Sequence, residues 1–201
     1  MILEELNKVS DLISELINND DFPEKIEPVQ LRDAVTLYPM RPGKRLRPAL
    51  VMWCCGLLNG DVKQAEYAAA AVEIYHNWTL VHDDIIDEAD IRRSQHSLNA
   101  EYGAKIAVLV GDILFAQFFS IVLNLPIKDW EMKSRLLSIF SDLSQAMCFG
   151  EVFQQKLLSL NKSADFEDYL LILEKKTALL MEASCRSGAI IAGGSEEKVN
   201  I

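Results

Sequence analysis

The chain has 201 residues, half of them hydrophobic and a quarter charged, a balance that excludes a disordered or low-complexity chain and supports a substantial core. Twenty basic residues against thirty acidic ones leave a net charge of −10, which excludes the broad positive field of a general nucleic-acid binder. Five of the six prolines precede residue 49, so later helices meet only Pro126 as a breaker. In chain order, Ile2, Leu3, Leu6, Val9, Leu12, Ile13, Leu16 and Ile17 recur at helical spacing, and Asn18-Asn19-Asp20 ends that helix. A loop with Pro23 and Pro28 leads to a short helix near 29–37, and Tyr38-Pro39-Met40-Arg41-Pro42-Gly43 reads as a turn-rich connector. A helix starts near Lys44 or Arg45 and stops at Asn59-Gly60; Asp61 caps the next, which runs to about Asp87. Residues 88–102 read as a polar loop with a short helical piece, followed by an apolar helix over about 104–124. Beyond Pro126 and Asp129, a long helix covers about 129–160, Ser163-Ala164-Asp165 starts a short one, another spans about 168–192, and Gly193-Gly194 stops it. Ser195-Glu196-Glu197 resembles a further first turn, so the chain stopping at Ile201 reads as a fragment of a longer domain.

No segment alternates with the period of a strand. The expected fold is all-α, a single domain of about eight or nine helices around a shared core. Residues 106–127 are long enough to span a bilayer, but Asp112, Gln117 and Asn124 interrupt them. A central Asp is costly in lipid, so a buried core helix is expected instead of a span. Cys54, Cys55, Cys148 and Cys185 lack metal-finger or CxxC spacing and read as buried free thiols of a reducing, cytoplasmic setting. The acidic N-terminal turns do not form a signal peptide.

The chemistry concentrates in His82-Asp83-Asp84-Ile85-Ile86-Asp87. Asp83 and Asp87 lie four apart, on one helical face. Paired carboxylates repel unless a cation lies between them, and oxygen ligands suit Mg²⁺, which binds one or two carboxylates together with substrate phosphates. Arg92 and Arg93 follow closely, and Gly43-Lys44-Arg45-Leu46-Arg47-Pro48 puts a second basic cluster at a helix start. Basic residues there oppose the helix dipole, and a bound anion would repair the mismatch. Two basic clusters and one acidic cluster in a chain of net negative charge suit two diphosphates and a metal bridge.

GKRLRP, then HDDIID with RR after a four-residue gap, then GDILFAQ, GEVFQQ and Lys176-Thr177 appear in one order. Together they resemble the trans-prenyl diphosphate synthases, or polyprenyl synthetases, from about residue 40 onward. That resemblance implies an isoprenoid-synthase-type helical bundle around a central cavity, spanning residues 1–201. It implies a prenyltransferase of isoprenoid biosynthesis: an allylic diphosphate loses pyrophosphate with Mg²⁺ assistance, isopentenyl diphosphate attacks the carbocation, and a proton leaves. On it, Asp83 and Asp87 correspond to metal ligands with Asp84 supporting. Arg92, Lys176 and Thr177 correspond to contacts for the allylic substrate, Lys44, Arg47, His76 and Arg93 to the isopentenyl diphosphate site, and Gln154 to a polar position of the family's GQxxD pattern. A homodimer joined near 106–124 is implied as well.

Two departures stand out. Ser94 replaces the glycine that usually follows the arginine pair, and a second aspartate-rich motif, expected several turns after Lys176-Thr177, does not occur within the 201 residues. The polypeptide alone is therefore expected to be inactive or nearly so. Tyr75, Trp78 and Thr79 precede Asp83 where the resemblance puts the floor of the product tunnel, and the two aromatics favour a short C15 or C20 product. A non-catalytic subunit of a heteromeric synthase keeps such a fold but can lose its aspartate motifs, and a terpene cyclase shares DDxxD but has no isopentenyl diphosphate to hold. The intact DDIID, RR and GKRLR weigh against the first, which the missing second motif keeps open, and GKRLRP with the arginine pair weighs against the second.

Overall fold

Helix α1 (Ile2–Asn19) buries Val9, Ile13 and Ile17, one residue per turn, and exposes its acids. The computed structural model describes residues 2–19, 23–160 and 163–200; Asp20 of the expected stop and Ile201 lie outside them. Two compact units emerge: residues 1–49 with 66–126, and residues 50–65 with 127–201. The division falls inside α3 (Leu46–Leu57) and α4 (Val62–Ile86).

In the first unit, α2 (Arg32–Met40) runs through the residues expected to form a connector, with Pro39 in its last turn. Burial of Ala34, Val35, Tyr38 and Pro39 on one face offsets the lost donor. Helix α2 packs on α1, α5 (Leu98–Tyr102) and α6 (Ala104–Leu123). The α3 helix begins at Leu46, later than expected, because Arg45 has a left-handed φ of 46°. Residues 68–75 of α4 are all buried, the apolar ones in the core and Glu73 against Arg45. The stretch expected to be a polar loop contains a small antiparallel hairpin, β1 (Ile91–Arg92) with β2 (Gln95–His96), pairing Ile91 with His96 and Arg92 with Gln95. Helix α6 is long and apolar enough to cross a membrane by length and composition. It is less buried than expected: Ala107, Val110, Leu114, Phe118 and Val122 are covered, while Ile106, Val108, Leu109 and Leu123 are exposed.

In the second unit, Asp129 caps α7 (Trp130–Ser159) by accepting from the Glu131 and Met132 amides. Asp165 and Asp168 form a reciprocal capping box at α8 (Phe166–Leu173). Two separate helices were expected here. Instead α8 continues through a π-helical turn, Glu174–Ala178, into α9 (Leu179–Ile191), and α10 (Glu196–Val199) follows. Gly188 lets α9 close on residues 51–55: an added Cβ would lie 2.1 Å from the Val51 carbonyl oxygen. The cysteines are free thiols, but only Cys55 is buried; Cys54 and Cys185 are half-buried and Cys148 is exposed.

Candidate functional site

The basic residues before and within α3 have different fates. Arg45 is buried against Glu73 of α4 and donates to the carbonyls of Pro39 at 2.7 Å and Arg41 at 3.0 Å. It is consumed by the fold. Arg47 is half-buried, with Nη1 3.1 Å from Nε2 of His76. Burial holds the His76 imidazole well below its ordinary pKa, and the charges of Arg47, Arg93, Arg92 and Arg45 push the same way. The ring is therefore neutral and accepts from Arg47 through Nε2. Its proton resides on Nδ1, which faces Thr79 Oγ1 at 3.4 Å, and Thr79 donates to the His76 carbonyl at 2.8 Å. Arg93 donates to the Pro42 carbonyl at 2.9 Å and lies against Gly43. Ser10 of α1 donates to the Gly43 carbonyl at 3.2 Å and steadies the same loop. Lys44, next in sequence, is exposed.

Burial lowers the Arg93 guanidinium; Glu73 opposes that, while Arg45, Arg92 and Arg41 reinforce it. Burial also lowers Arg47, with Glu73 opposing and Arg93 reinforcing. Glu73 is already committed to Arg45. The cluster of Arg47, Arg93 and neutral His76 thus carries net positive charge, the electrostatic condition for holding a phosphate group.

On the acidic side, Asp84 points inward. It accepts from Nε and Nη2 of Arg92, each at 2.6 Å, and from the Tyr38 hydroxyl. That side-on pair holds the Arg92 guanidinium above its ordinary range, against the effect of burial. Asp83 is half-buried and Asp87 exposed. The Asp87 amide donates to the Asp83 carbonyl at 2.8 Å, so helical geometry persists to Asp87 and both carboxylates share a face. Among the described residues no group of three or more His, Cys, Asp or Glu side chains could hold a metal ion. Two carboxylate donors without a third fit a hard ion whose coordination is completed by water and substrate phosphate. His82 packs where a side chain on Gly111 would be, since an added Cβ would lie 2.2 Å from its Nε2. Its Nε2 is also 3.7 Å from Asp112 Oδ1, which explains why GD appears in GDILFAQ.

An aromatic cluster lies one to two turns before Asp83. Tyr75 is fully buried, with ring centroids 4.9 Å from Trp78 and 5.2 Å from Phe118; Trp78 stacks on Phe115 at 4.3 Å. Trp78 remains half-buried and Thr79 is buried.

The second unit holds the remaining candidates. Lys176 lies in the π-helical turn, pairs with Glu151 of α7 and is 3.3 Å from Gln154 Oε1. Thr177 is half-buried in that turn. Gly150 allows the approach, because an added Cβ would meet the Lys175 side chain at 2.5 Å. Insertions of this kind are frequent at functional positions.

The first unit therefore brings together Arg47, His76, Thr79 and Arg93 with the Gly43-Lys44 loop, and joins Arg92 to Asp84. Lys176, Gln154 and Thr177 gather in the second unit. Sequence reading missed Tyr38, Glu73 and Glu151. Only Glu151 lies inside a recognisable motif, GEVFQQ; Tyr38 falls in a stretch with the composition of a connector and Glu73 in an otherwise apolar helix.

An all-α chain with a paired-carboxylate helix end beside a cluster of arginines belongs to the isoprenoid synthase type of fold. The polyprenyl synthetase family model matches residues 28–201, and the chain belongs to that family. It is 34% identical over 193 residues to a short chain isoprenyl diphosphate synthase of Methanocaldococcus jannaschii, covering 96% of this chain and 55% of that protein. With a geranylgeranyl diphosphate synthase of Sulfolobus acidocaldarius the identity is 32% over 204 residues, covering 98% and 57%. The crystal structure of geranylgeranyl pyrophosphate synthetase from Pyrococcus horikoshii Ot3 superposes with a TM-score of 0.89 at 32% identity, covering 98% of this chain and 60% of that one. The chain thus spans little more than half the length of these relatives.

Proposed function

We propose that this chain, one polyprenyl synthetase domain over residues 1–201, supplies the diphosphate grips and first aspartate pair of a prenyltransferase. The reaction joins an allylic diphosphate to isopentenyl diphosphate and gives a short C15 or C20 product. The observation that carries this reading is the meeting of Arg47, Arg93 and neutral His76 beside the Pro42-Gly43 turn, with Arg92, next in the chain to Arg93, paired to Asp84.

In this reading Lys44, Arg47 and Arg93 hold the isopentenyl diphosphate, and His76 orients Arg47 by accepting its proton-bearing edge. Asp83 and Asp87 would hold Mg²⁺. When bound, the ion supplies Lewis-acid stabilisation of a departing diphosphate. Asp84 does not join them as a ligand; it orients Arg92 toward the allylic diphosphate. Lys176, Thr177 and Gln154 are assigned, by the motifs they occupy, to contacts with the allylic substrate. Tyr75, Trp78 and Thr79 limit chain growth, and Trp78→Ala should lengthen the product of the active enzyme.

A cytoplasmic protein without a membrane span is proposed, supported by its free thiols, together with homodimerisation through the exposed face of α6, where Ile106, Val108 and Leu109 lie. After Thr177 the only acids in the sequence are Glu182, Glu196 and Glu197, so the 201 residues alone are expected to be inactive in condensation or nearly so. Calorimetry with isopentenyl diphosphate tests the reading: saturable binding that disappears in Arg47→Ala/Arg93→Ala supports it, and no binding to the parent chain defeats it. Incubation with geranyl diphosphate, isopentenyl diphosphate and Mg²⁺ measures turnover alongside; robust condensation would overturn the expectation of an inactive or nearly inactive chain.

A further inference from the structure

We propose that Tyr38 is a positioning residue for Arg92, acting through Asp84. The inference rests on the reading of Arg92 as a grip on the allylic diphosphate and deepens it.

The Asp84 side chain is 2% exposed, and a carboxylate so placed needs its lone pairs met. One oxygen, Oδ1, accepts from Arg92 Nη2; the other, Oδ2, accepts from Arg92 Nε and from the Tyr38 hydroxyl. The side-on contact uses one edge of the guanidinium. Both Nη1 hydrogens and the second Nη2 hydrogen remain on the opposite edge, and the Arg92 side chain is 27% exposed. That free edge presents a fork of fixed orientation, the geometry that matches a phosphate.

Orientation then depends on what fixes Asp84. Arg92 sits on a two-residue strand of a hairpin, a short support. Tyr38, 3% exposed, is anchored both at its hydroxyl and at its ring face. Its hydroxyl accepts from the Leu98 amide at 3.1 Å, its ring lies under the Arg41 guanidinium at 4.9 Å, and Arg41 donates to the His96 carbonyl of β2. The end of α2, Tyr38 with the following Arg41, therefore grips β2, the start of α5 and, through Asp84, Arg92 on β1. Burial and the bond to Asp84 push the Tyr38 phenol up to about 12, so the hydroxyl remains a donor at neutral pH. A phenylalanine at 38 would keep the packing but let the carboxylate turn, and Arg92 with it.

The test compares the intact chain with Tyr38→Phe, Arg92→Ala and the double variant. Two readouts are taken: hydrogen exchange of the Arg92 Nε–H by NMR without ligand, and calorimetry with inorganic pyrophosphate plus Mg²⁺. Tyr38→Phe should speed exchange at the Arg92 Nε–H and weaken pyrophosphate about two- to tenfold, the range of one hydrogen bond. It should weaken nothing further in the Arg92→Ala background. A merely structural Tyr38 lowers thermal stability but leaves both readouts unchanged, and that result overturns the proposal while leaving the Arg92 reading intact. If Arg92→Ala binds pyrophosphate like the parent chain, the Arg92 reading itself falls and takes this proposal with it. Should Tyr38→Phe not fold, the parent chain decides: a cross-relaxation contact between the Tyr38 hydroxyl proton and Arg92 Nε–H supports the proposal, and its absence overturns it.

Discussion

Arg45 and Arg47 stand two residues apart and reach the same stretch of α4, yet they meet opposite company. Arg45 finds Glu73 and two backbone carbonyls, so its charge is neutralised and its donors are largely satisfied. Arg47 finds the neutral ring of His76, which orients it without cancelling it. The difference teaches how to sort charged residues in one motif: a compensated cation holds the fold, whereas an oriented but uncompensated one awaits an anion. The same division separates Asp84, fully engaged with Arg92 and Tyr38, from Asp87, which is exposed.

The largest effect should come from breaking the compensated pair. Glu73→Ala leaves the Arg45 charge buried and should cost about 3–5 kcal/mol in stability, read from the urea midpoint; a small loss would erase the distinction drawn above. Arg47→Ala should do the reverse. It should weaken isopentenyl diphosphate by about 1.5–3 kcal/mol, the worth of a charged hydrogen bond, while moving the urea midpoint less than Glu73→Ala does.

His76 sharpens the contrast through pH. Its pKa is depressed in the fold, so the unfolded chain binds the extra proton. Stability should therefore fall below the unfolded pKa of about 6.5, by up to about 1.4 kcal/mol per pH unit from this group, until the folded pKa is reached. His76→Gln should flatten that slope, and an isopentenyl diphosphate that screens Arg47 and Arg93 should raise the His76 pKa measured by NMR. Lys8→Ala sets the floor: its partner Glu5 is exposed and their separation is 2.7 Å, and loss of such a pair should change stability by less than about 1 kcal/mol.

The long helices were legible because their apolar spacing is local. Helices α1, α4, α6 and α7 fall where periodicity and the caps at Asp61 and Asp129 put them. Pro39 misled because tertiary burial of its neighbours overrode a breaker at a helix end. Strands of two residues contain no period to read. The run from α8 through the π-helical turn to α9 falls where one helix was expected over about 168–192; the separate short helix expected before it does not form, because Asp165 caps that same run. Within the site, the motifs located Asp83, Arg47 and Lys176. Partners such as Glu73 for Arg45 and Tyr38 for Asp84 are 28 and 46 residues away, beyond any spacing argument.

The hairpin tip bears on how this sequence can vary. Arg93 and Ser94 have φ of 53° and 64°, the doubly left-handed bend that joins two antiparallel strands. Side chains at such angles cost about 1–2 kcal/mol each relative to the usual right-handed backbone. Position 93 holds a guanidinium and cannot be relaxed without losing it, so the neighbouring position is where the tip can shed strain. Substitution to glycine, asparagine or aspartate should be tolerated there, with Ser94→Gly raising the melting temperature, and branched residues such as valine should be purged from lineages that keep the arginine pair in place.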